Sequence, residues 1–281
     1  MDAITAEHVR RNRQTRHCWD LYAEHRRQVT DLLLAAARST VHPTICLLGA
    51  GNGNDLDLAR LSERFQQIHL VDLDHEALQF AVTKQRPLPH GRIVCHGGVD
   101  VTGAMVLLAE GGPGEPMANP AALVNTPSPS LPGPFDVVAS VGLLTQLIDS
   151  VLMAVGTIPT QSLELVQAVR LRHLRLLLQL TRPGGEAVLI TEVVSSDTYH
   201  PLHRVPDAEL AQVLRRLIDQ RNFFTGTNPA VIESLFRQDG ELARRVARIE
   251  VLPPWKWRFI SRVYAVVAYR VQRKADDAAS V

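Results

Sequence analysis

The chain is poor in cysteine: Cys18, Cys46 and Cys95 are the only three in 281 residues. They stand far apart and lack the spacing of metal ligands, so no metal is expected. Cys46 and Cys95 fall in apolar, strand-like runs and read as small core residues. The count suits a reducing compartment, and a cytoplasmic location is the expectation. Charge of one sign is also missing, since 30 Lys and Arg face 29 Asp and Glu. The sequence pI is about 7.9. Dedicated nucleic-acid-binding domains often exceed a pI of roughly 9, so the bulk charge gives no support for RNA or DNA and leaves only a local basic patch. No run approaches the roughly 20 apolar residues of a membrane span. The opening MDAITAEHVRRNR has no apolar signal core. Neither a membrane partner nor an internal repeat is expected.

What is present is enough apolar material for a sizeable core, 46% of the residues. Residues 5–38 read as helix with room for one break. The first part is rich in arginine (Arg10, Arg11, Arg13, Arg16), and the second carries Trp19, Tyr22, Val29, Leu32, Leu33 and Ala36 near helical spacing. From Pro43 onward, short apolar runs alternate with helical stretches. TICLL, QIHLVD, GRIVCH, FDVVASV and EAVLITEVV read as five strands. Helices are expected near residues 54–64, from His75 to Lys84 and from Ser162 to Leu180. Such alternation indicates a doubly wound α/β domain, a mostly parallel sheet with helices on both faces. The expected division is a helical cap over residues 1–40 and one domain over 41–281. Residues 110–134 hold seven prolines and four glycines and are expected to be an irregular, disordered insertion. The C-terminal third reads as helical to Val246. ARIEVLPPWKWRF and SRVYAVVAYRVQR then pair as a hairpin, with Pro253 and Pro254 favouring an edge for the first.

The strongest local signal is LLGAGNGNDLDL, residues 47–58, between a strand and a helix. Gly49, Ala50, Gly51, Asn52 and Gly53 spell G-x-G-x-G. Dinucleotide turns prefer G-x-G-x-x-G and seat a pyrophosphate on the following helix, but the last position here is Asn54. The pattern therefore suits a cofactor without phosphate. Asp72, about 20 residues past the turn and followed by Leu73, is placed to hold ribose hydroxyls. Asp100, after the third strand, can accept from an adenine amino group. Asp136 opens the fourth strand and Gly142 follows its end, and RPGGEAVLI turns into the fifth.

In this order the elements resemble the class I S-adenosylmethionine-dependent methyltransferases, from about Thr44 to Val194 and on to the terminal hairpin. The resemblance implies a seven-stranded sheet with an antiparallel last strand. It also implies that S-adenosylmethionine is the cofactor, its methionine part over Gly49, Gly51 and Gly53, its ribose on Asp72, and adenine flanked by Asp100 and Val101. Ser140 to Leu143, Gly142 included, would line the substrate cleft. One departure stands out: the family often has an acid two residues before the first glycine, which helps orient the cofactor's amino group or the turn, and this chain has Leu47, for which Asn52, Asn54 or Asp55 could substitute.

For the acceptor, the loop after the fifth strand supplies Glu192, Asp197, Tyr199, His200 and His203. His200 is the first choice of base, because imidazole titrates near pH 6.5, with Tyr199 beside it and His203 contacting substrate. Trp19 and Tyr22 share a helix face and could wall an organic acceptor, or simply dock the helix. Motifs of two other acceptor types are missing, Asp/Asn-Pro-Pro-Tyr for exocyclic base nitrogens and a Pro-Cys nucleophile for cytosine C5, and no H-x-H or carboxylate cluster indicates a metal. A small-molecule acceptor is the leading expectation, with a homodimer allowed. The alternatives are an RNA methyltransferase using the N-terminal arginines with Lys256, Arg258 and Arg262, and a noncatalytic binding module.

Overall fold

The computed structural model describes residues 3–37, 40–103, 120–155 and 159–276. Helix α1 (Ala3–Thr15) is followed by a 3-10 turn (Trp19–Tyr22) and α2 (Ala23–Ala36), so the N-terminal helix is broken once. Then come β1 (Thr44–Leu48), α3 (Leu58–Arg64), β2 (Gln67–Asp72), α4 (His75–Lys84) and β3 (Ile93–Gly97). A single helical turn, α5 (Pro120–Val124), precedes β4 (Phe135–Val141), α6 (Leu143–Val155), α7 (Pro159–Leu180) and β5 (Thr181–Ser195). The chain ends with α8 (Leu210–Asp219), α9 (Pro229–Gln238), α10 (Gly240–Arg245), β6 (Val246–Val251), β7 (Trp255–Phe259) and β8 (Arg262–Arg273).

One sheet collects all the described strands in the order β3-β2-β1-β4-β5-β8-β6, with β7 also on β8. The first five strands are parallel to their neighbours. Strand β8 runs antiparallel to β5. The two-residue period of a strand sends alternate side chains to opposite faces. Ile45, Leu47, Val137 and Ala139 pack with Val29 and Leu33 of α2 and Leu58 and Leu61 of α3. Cys46, Leu48, Val138 and Leu189 pack with Leu144 and Leu147 of α6 and Leu174 and Leu177 of α7. Buried apolar faces of this kind contribute roughly 25 cal/mol per Å² removed from water. Helix α2 thus belongs to the sheet's own core rather than to a separate cap.

Three expectations are corrected. Helix α3 begins at Leu58 rather than 54, because Asp57 caps it by accepting from the Arg60 amide. The terminal hairpin is made of three strands. Strands β6 and β7 lie end to end on the edge of β8 opposite β5, Val251 facing Tyr269 and Trp255 facing Val266. Pro253 and Pro254 interrupt them, since proline cannot donate to a ladder. The count is therefore eight strands in seven positions. The proline-rich segment is in part packed: Leu123 of α5 is fully buried, and Arg172 of α7 donates to the Pro127 carbonyl. Pro120 supplies a fixed φ at the start of the helical turn, and AALV is the segment's one apolar run. Residues 110–119 lie outside the described residues.

Candidate functional site

Strand β1 ends in the glycine turn. The amides of Gly49 and Ala50 donate to the Val71 carbonyl, at 2.8 and 3.1 Å, tying the turn to the end of β2. Gly53 has φ +62, and a Cβ there would stand 2.9 Å from the Ala81 Cβ of α4. Only glycine lets the turn lie this close to that helix. Helix α1 covers the turn from outside. Asn52 donates to the Asn12 carbonyl (2.6 Å) and the Thr15 hydroxyl (3.2 Å), and Asn54 donates to the Thr15 carbonyl (2.8 Å). The two asparagines therefore fasten the helix that roofs the turn.

Asp72 ends β2 and faces the turn. Its carboxylate accepts from the Gly51 amide through Oδ2 (2.9 Å) and from the Asp74 amide through Oδ1 (2.8 Å). Burial pushes this carboxyl up to about 6, with the two amides pulling it the other way. A carboxylate has about four lone-pair sites, so each oxygen keeps one for a further donor. Asp74 serves α4 instead, accepting from the Ala77 amide as its N-cap.

A cavity of about 610 Å³ opens at the carboxyl ends of β1, β4 and β5. This is where open α/β sheets bind ligands, and the size is ordinary for a small-molecule site. Gly49 to Gly53, Asp72 and Gly142 line it, as does Tyr22. So do Asp55, Glu192 and an aromatic wall of Trp257, Phe259 and Tyr264. Tyr22 meets Trp257 at 5.0 Å and Phe259 at 5.4 Å between ring centroids, and Tyr264 stacks on Trp257 at 5.1 Å. His25 stacks on the same indole at 4.7 Å. Trp255 Nε1 donates to His25 Nδ1 (3.1 Å). An indole can only donate, so Nδ1 carries the lone pair and the proton of neutral His25 sits on Nε2. Burial holds this imidazole down to about 3.

Glu192, on β5, is 7% exposed and accepts from the Thr145 hydroxyl at 3.0 Å. A Cβ on Gly142 would stand 2.9 Å from Glu192 Oε1, so the bare Cα of Gly142 makes room for this carboxyl. Burial raises Glu192. Asp55, two residues past Gly53, is pushed up to about 7, chiefly by burial and then by the charge of Glu192, while Arg26 acts in the opposite sense. No hydrogen-bond donor reaches the Asp55 carboxyl among the described residues.

Other residues singled out by the sequence are placed elsewhere and do not line this cavity. His200, the expected base, is exposed on a 3-10 turn anchored by fully buried Leu202, which leaves the imidazole outward. Tyr199 spends its hydroxyl accepting from Arg216 (2.9 Å), and His203 lies against His200 with rings 5.4 Å apart. Trp19 docks the N-terminal segment, with the Arg26 guanidinium 3.5 Å over its ring and Lys84 at 4.6 Å. Strand alternation sends Ser140 to the α7 face, where its hydroxyl meets His173 Nε2 at 2.8 Å. Asp100 accepts from the amide and hydroxyl of Thr102, next to buried Val101. Leu73 is likewise absent from the cavity's lining. Leu47 points into the α2–α3 core and is 2% exposed, so it has no access to the turn's ligand side.

Sequence reasoning passed over Asp55, except as a substitute for the missing acid, and it missed His25, Trp257 and Tyr264. A signal existed for the wall: W-K-W-R-F places Trp255, Trp257 and Phe259 on one face of a strand.

The strand order and the antiparallel β8 are those of the class I methyltransferase fold. No protein-family model matches the chain, and no curated protein matches it significantly. Among solved structures, N-methyltransferase NodS from Bradyrhizobium japonicum WM9 is 13% identical, with 91% of this chain and 97% of that one covered and a TM-score of 0.45. The YcgJ protein from Bacillus subtilis is 12% identical over 89% of this chain and 100% of that one, TM-score 0.48. A putative RNA methyltransferase, PH1948 from Pyrococcus horikoshii, is 12% identical over 88% and 85%, TM-score 0.43. The fold assignment stands on the strand order and its connections. Among the described residues no helix is long and apolar enough to cross a membrane.

Proposed function

We propose that this chain transfers a methyl group from S-adenosylmethionine to a small organic acceptor held in the cavity at the carboxyl edge of the sheet. The observation that carries the reading is the single cavity shared by the glycine turn, the amide-fixed Asp72 carboxylate and the aromatic wall. The residues fit the cofactor at the ribose and methionine ends. Asp72 keeps a lone pair on each oxygen for two hydroxyls, and the turn exposes backbone with no side chain at Gly49, Gly51 or Gly53. The adenine end has less support, because Leu73, Asp100 and Val101 stand outside the lining.

When bound, the cofactor supplies an activated methyl group on a sulfonium. The protein's task is then alignment and exclusion of water, which can contribute roughly 7–11 kcal/mol in favourable systems. Helix α1 roofs the turn, and the rings of Tyr22, Trp257 and Tyr264 flank the acceptor side. An RNA acceptor is less favoured, because four of the seven cations offered for phosphate are paired with acids of the chain. Arg10 and Arg11 pair with Glu7, Lys256 with Asp207 and Arg262 with Asp197.

Calorimetry with S-adenosylmethionine and S-adenosylhomocysteine tests the cofactor, and methylation of a metabolite pool with labelled cofactor tests the acceptor. Binding of neither nucleoside would sink the reading. Binding without any label transfer, to metabolites or RNA, would favour a noncatalytic module.

A further inference from the structure

We infer that the acceptor is an amine, recognised as its ammonium ion by Asp55, Glu192 and the Tyr22 hydroxyl against the aromatic wall of the cavity. This rests on the methyl-transfer reading above and names the substrate class for that same site.

Three independent features converge. The first is an unbalanced charge. Asp55 and Glu192 both line the cavity, and no ion pair involves either carboxyl among the described residues. Arg10, Arg11 and Arg262 also line it, but each already has a carboxylate partner; Arg26, whose charge lowers Asp55, stands outside the lining and donates to the Trp19 and Asn54 carbonyls, and His25 is neutral. A buried carboxylate without a counter-charge is costly, and a cationic ligand relieves that cost. The second is Tyr22. It is 7% exposed and lines the cavity, and its hydroxyl has no hydrogen-bond partner among the described residues. Burial raises its pKa, and the charges of Asp55 and Glu192 act in the same sense. The residue is buried while its hydroxyl stays unpaired on the cavity side, where a ligand atom can meet it. The third is the wall itself, where Trp257, Tyr264 and Phe259 offer ring faces that attract an organic cation.

The cofactor also carries an ammonium, but that group sits beside its own carboxylate. The acids attract that ammonium and repel that carboxylate, whereas a simple amine brings only the positive charge to both acids. The same acids answer the acceptor's chemical need. An ammonium has no free electron pair. Giving one N–H proton to the Asp55 carboxylate leaves a neutral amine with its pair free and Asp55 as the neutral acid. A carboxyl pushed up to about 7 is suited to take and release that proton near neutral pH.

The test is calorimetry on the full chain with phenethylamine and its neutral counterpart 2-phenylethanol, with and without S-adenosylhomocysteine. Wild type should bind the amine at least about tenfold more tightly than the alcohol, a difference of about 1.4 kcal/mol. Asp55→Asn and Glu192→Gln should each erase most of that preference while leaving S-adenosylhomocysteine affinity within about twofold. Glu192→Gln keeps an acceptor for Thr145, and Tyr22→Phe removes only a hydroxyl, so a misfolded acid variant would not stand alone; Tyr22→Phe should weaken the amine several-fold. Equal affinity for amine and alcohol, in a protein that binds S-adenosylhomocysteine, overturns this inference alone. Loss of S-adenosylhomocysteine in both acid variants also overturns it, by assigning the acids to the cofactor. Failure of wild type to bind S-adenosylhomocysteine overturns the methyl-transfer reading and the acceptor assignment with it.

Discussion

Exchanging Asp55 for asparagine should stabilise the ligand-free protein, and by more at pH 8 than at pH 5. The folded chain holds the Asp55 carboxyl at about 7, against an ordinary value of 3.8. A carboxyl raised on folding binds its proton more tightly in the native state. Its contribution to stability is therefore fully present below 3.8 and is lost as the pH climbs to about 7. Each unit of difference corresponds to 1.36 kcal/mol, so about three units amount to roughly 4 kcal/mol lost across the window. Asparagine has nearly the same shape and nothing to ionise, so the variant escapes that loss. Part of the loss is already incurred by pH 5. The advantage of Asp55→Asn should accordingly grow by about 2–3 kcal/mol between pH 5 and pH 8. Urea denaturation of both proteins at the two pH values reads this directly, with unchanged m-values as the check on two-state behaviour. Other titrating groups are common to both proteins and largely cancel in the difference. An advantage that is the same at both pH values would refute the claim that Asp55 is ionised at a cost in the cavity.

Asp72→Ala should weaken S-adenosylhomocysteine binding by about 1.5–3 kcal/mol, the worth of hydrogen bonds to a charged group; unchanged affinity in a folded variant would remove Asp72 from the site. His25 should remain the neutral Nε2–H tautomer at pH 5, since burial holds it down to about 3. Nitrogen-15 NMR of the imidazole checks this, and a protonated ring at pH 5 would contradict the Trp255 donor assignment. Leu123→Ala should cost about 2–5 kcal/mol, as for other fully buried leucines. A loss below about 0.5 kcal/mol in chemical denaturation, the range of ordinary surface changes, would show that the segment around α5 is not packed.

The fold was legible because its signals are local and periodic. TICLL, QIHLVD and FDVVASV are short apolar runs with both faces buried, and each forms its strand with the boundaries read from sequence. Helix α4 likewise begins after Asp74, whose side chain caps it. The failures lie where a long-range partner overrides composition. Nothing within residues 110–134 announces that Leu123 will be buried, because the groove that takes it is built largely by α7, some 40 to 55 positions later in the chain. The split between β6 and β7 needed only the two prolines, but assigning both pieces to one edge of β8 needed the register of a 12-residue strand.

The site divides along the same line. The side proposed for the cofactor is a continuous motif, with the turn at 49–53 and an acid at the end of the next strand, so sequence spacing alone points to it. The side proposed for the acceptor is assembled from three remote stretches: the 3-10 turn at Tyr22, Glu192 on β5, and the β7–β8 hairpin. Loop position misled the search for a base. His200 has the right chemistry and follows β5, but burial of Leu202 two residues on decides which way it faces. Glu192, eight residues earlier, lies on the strand itself, and Gly142 on the neighbouring connection is the residue small enough to admit it. The pairing of a glycine just past β4 with an acid near the end of β5 is thus a three-dimensional feature written at two separated positions. The same holds for Trp257, which becomes a ligand wall only because α2 presents His25 and the preceding turn presents Tyr22 to its ring. What distinguishes this cavity from the rest of the fold is therefore the coincidence of an unpaired phenol, two acids outside any ion pair among the described residues, and a set of ring faces, none of which is informative until the sheet brings them together.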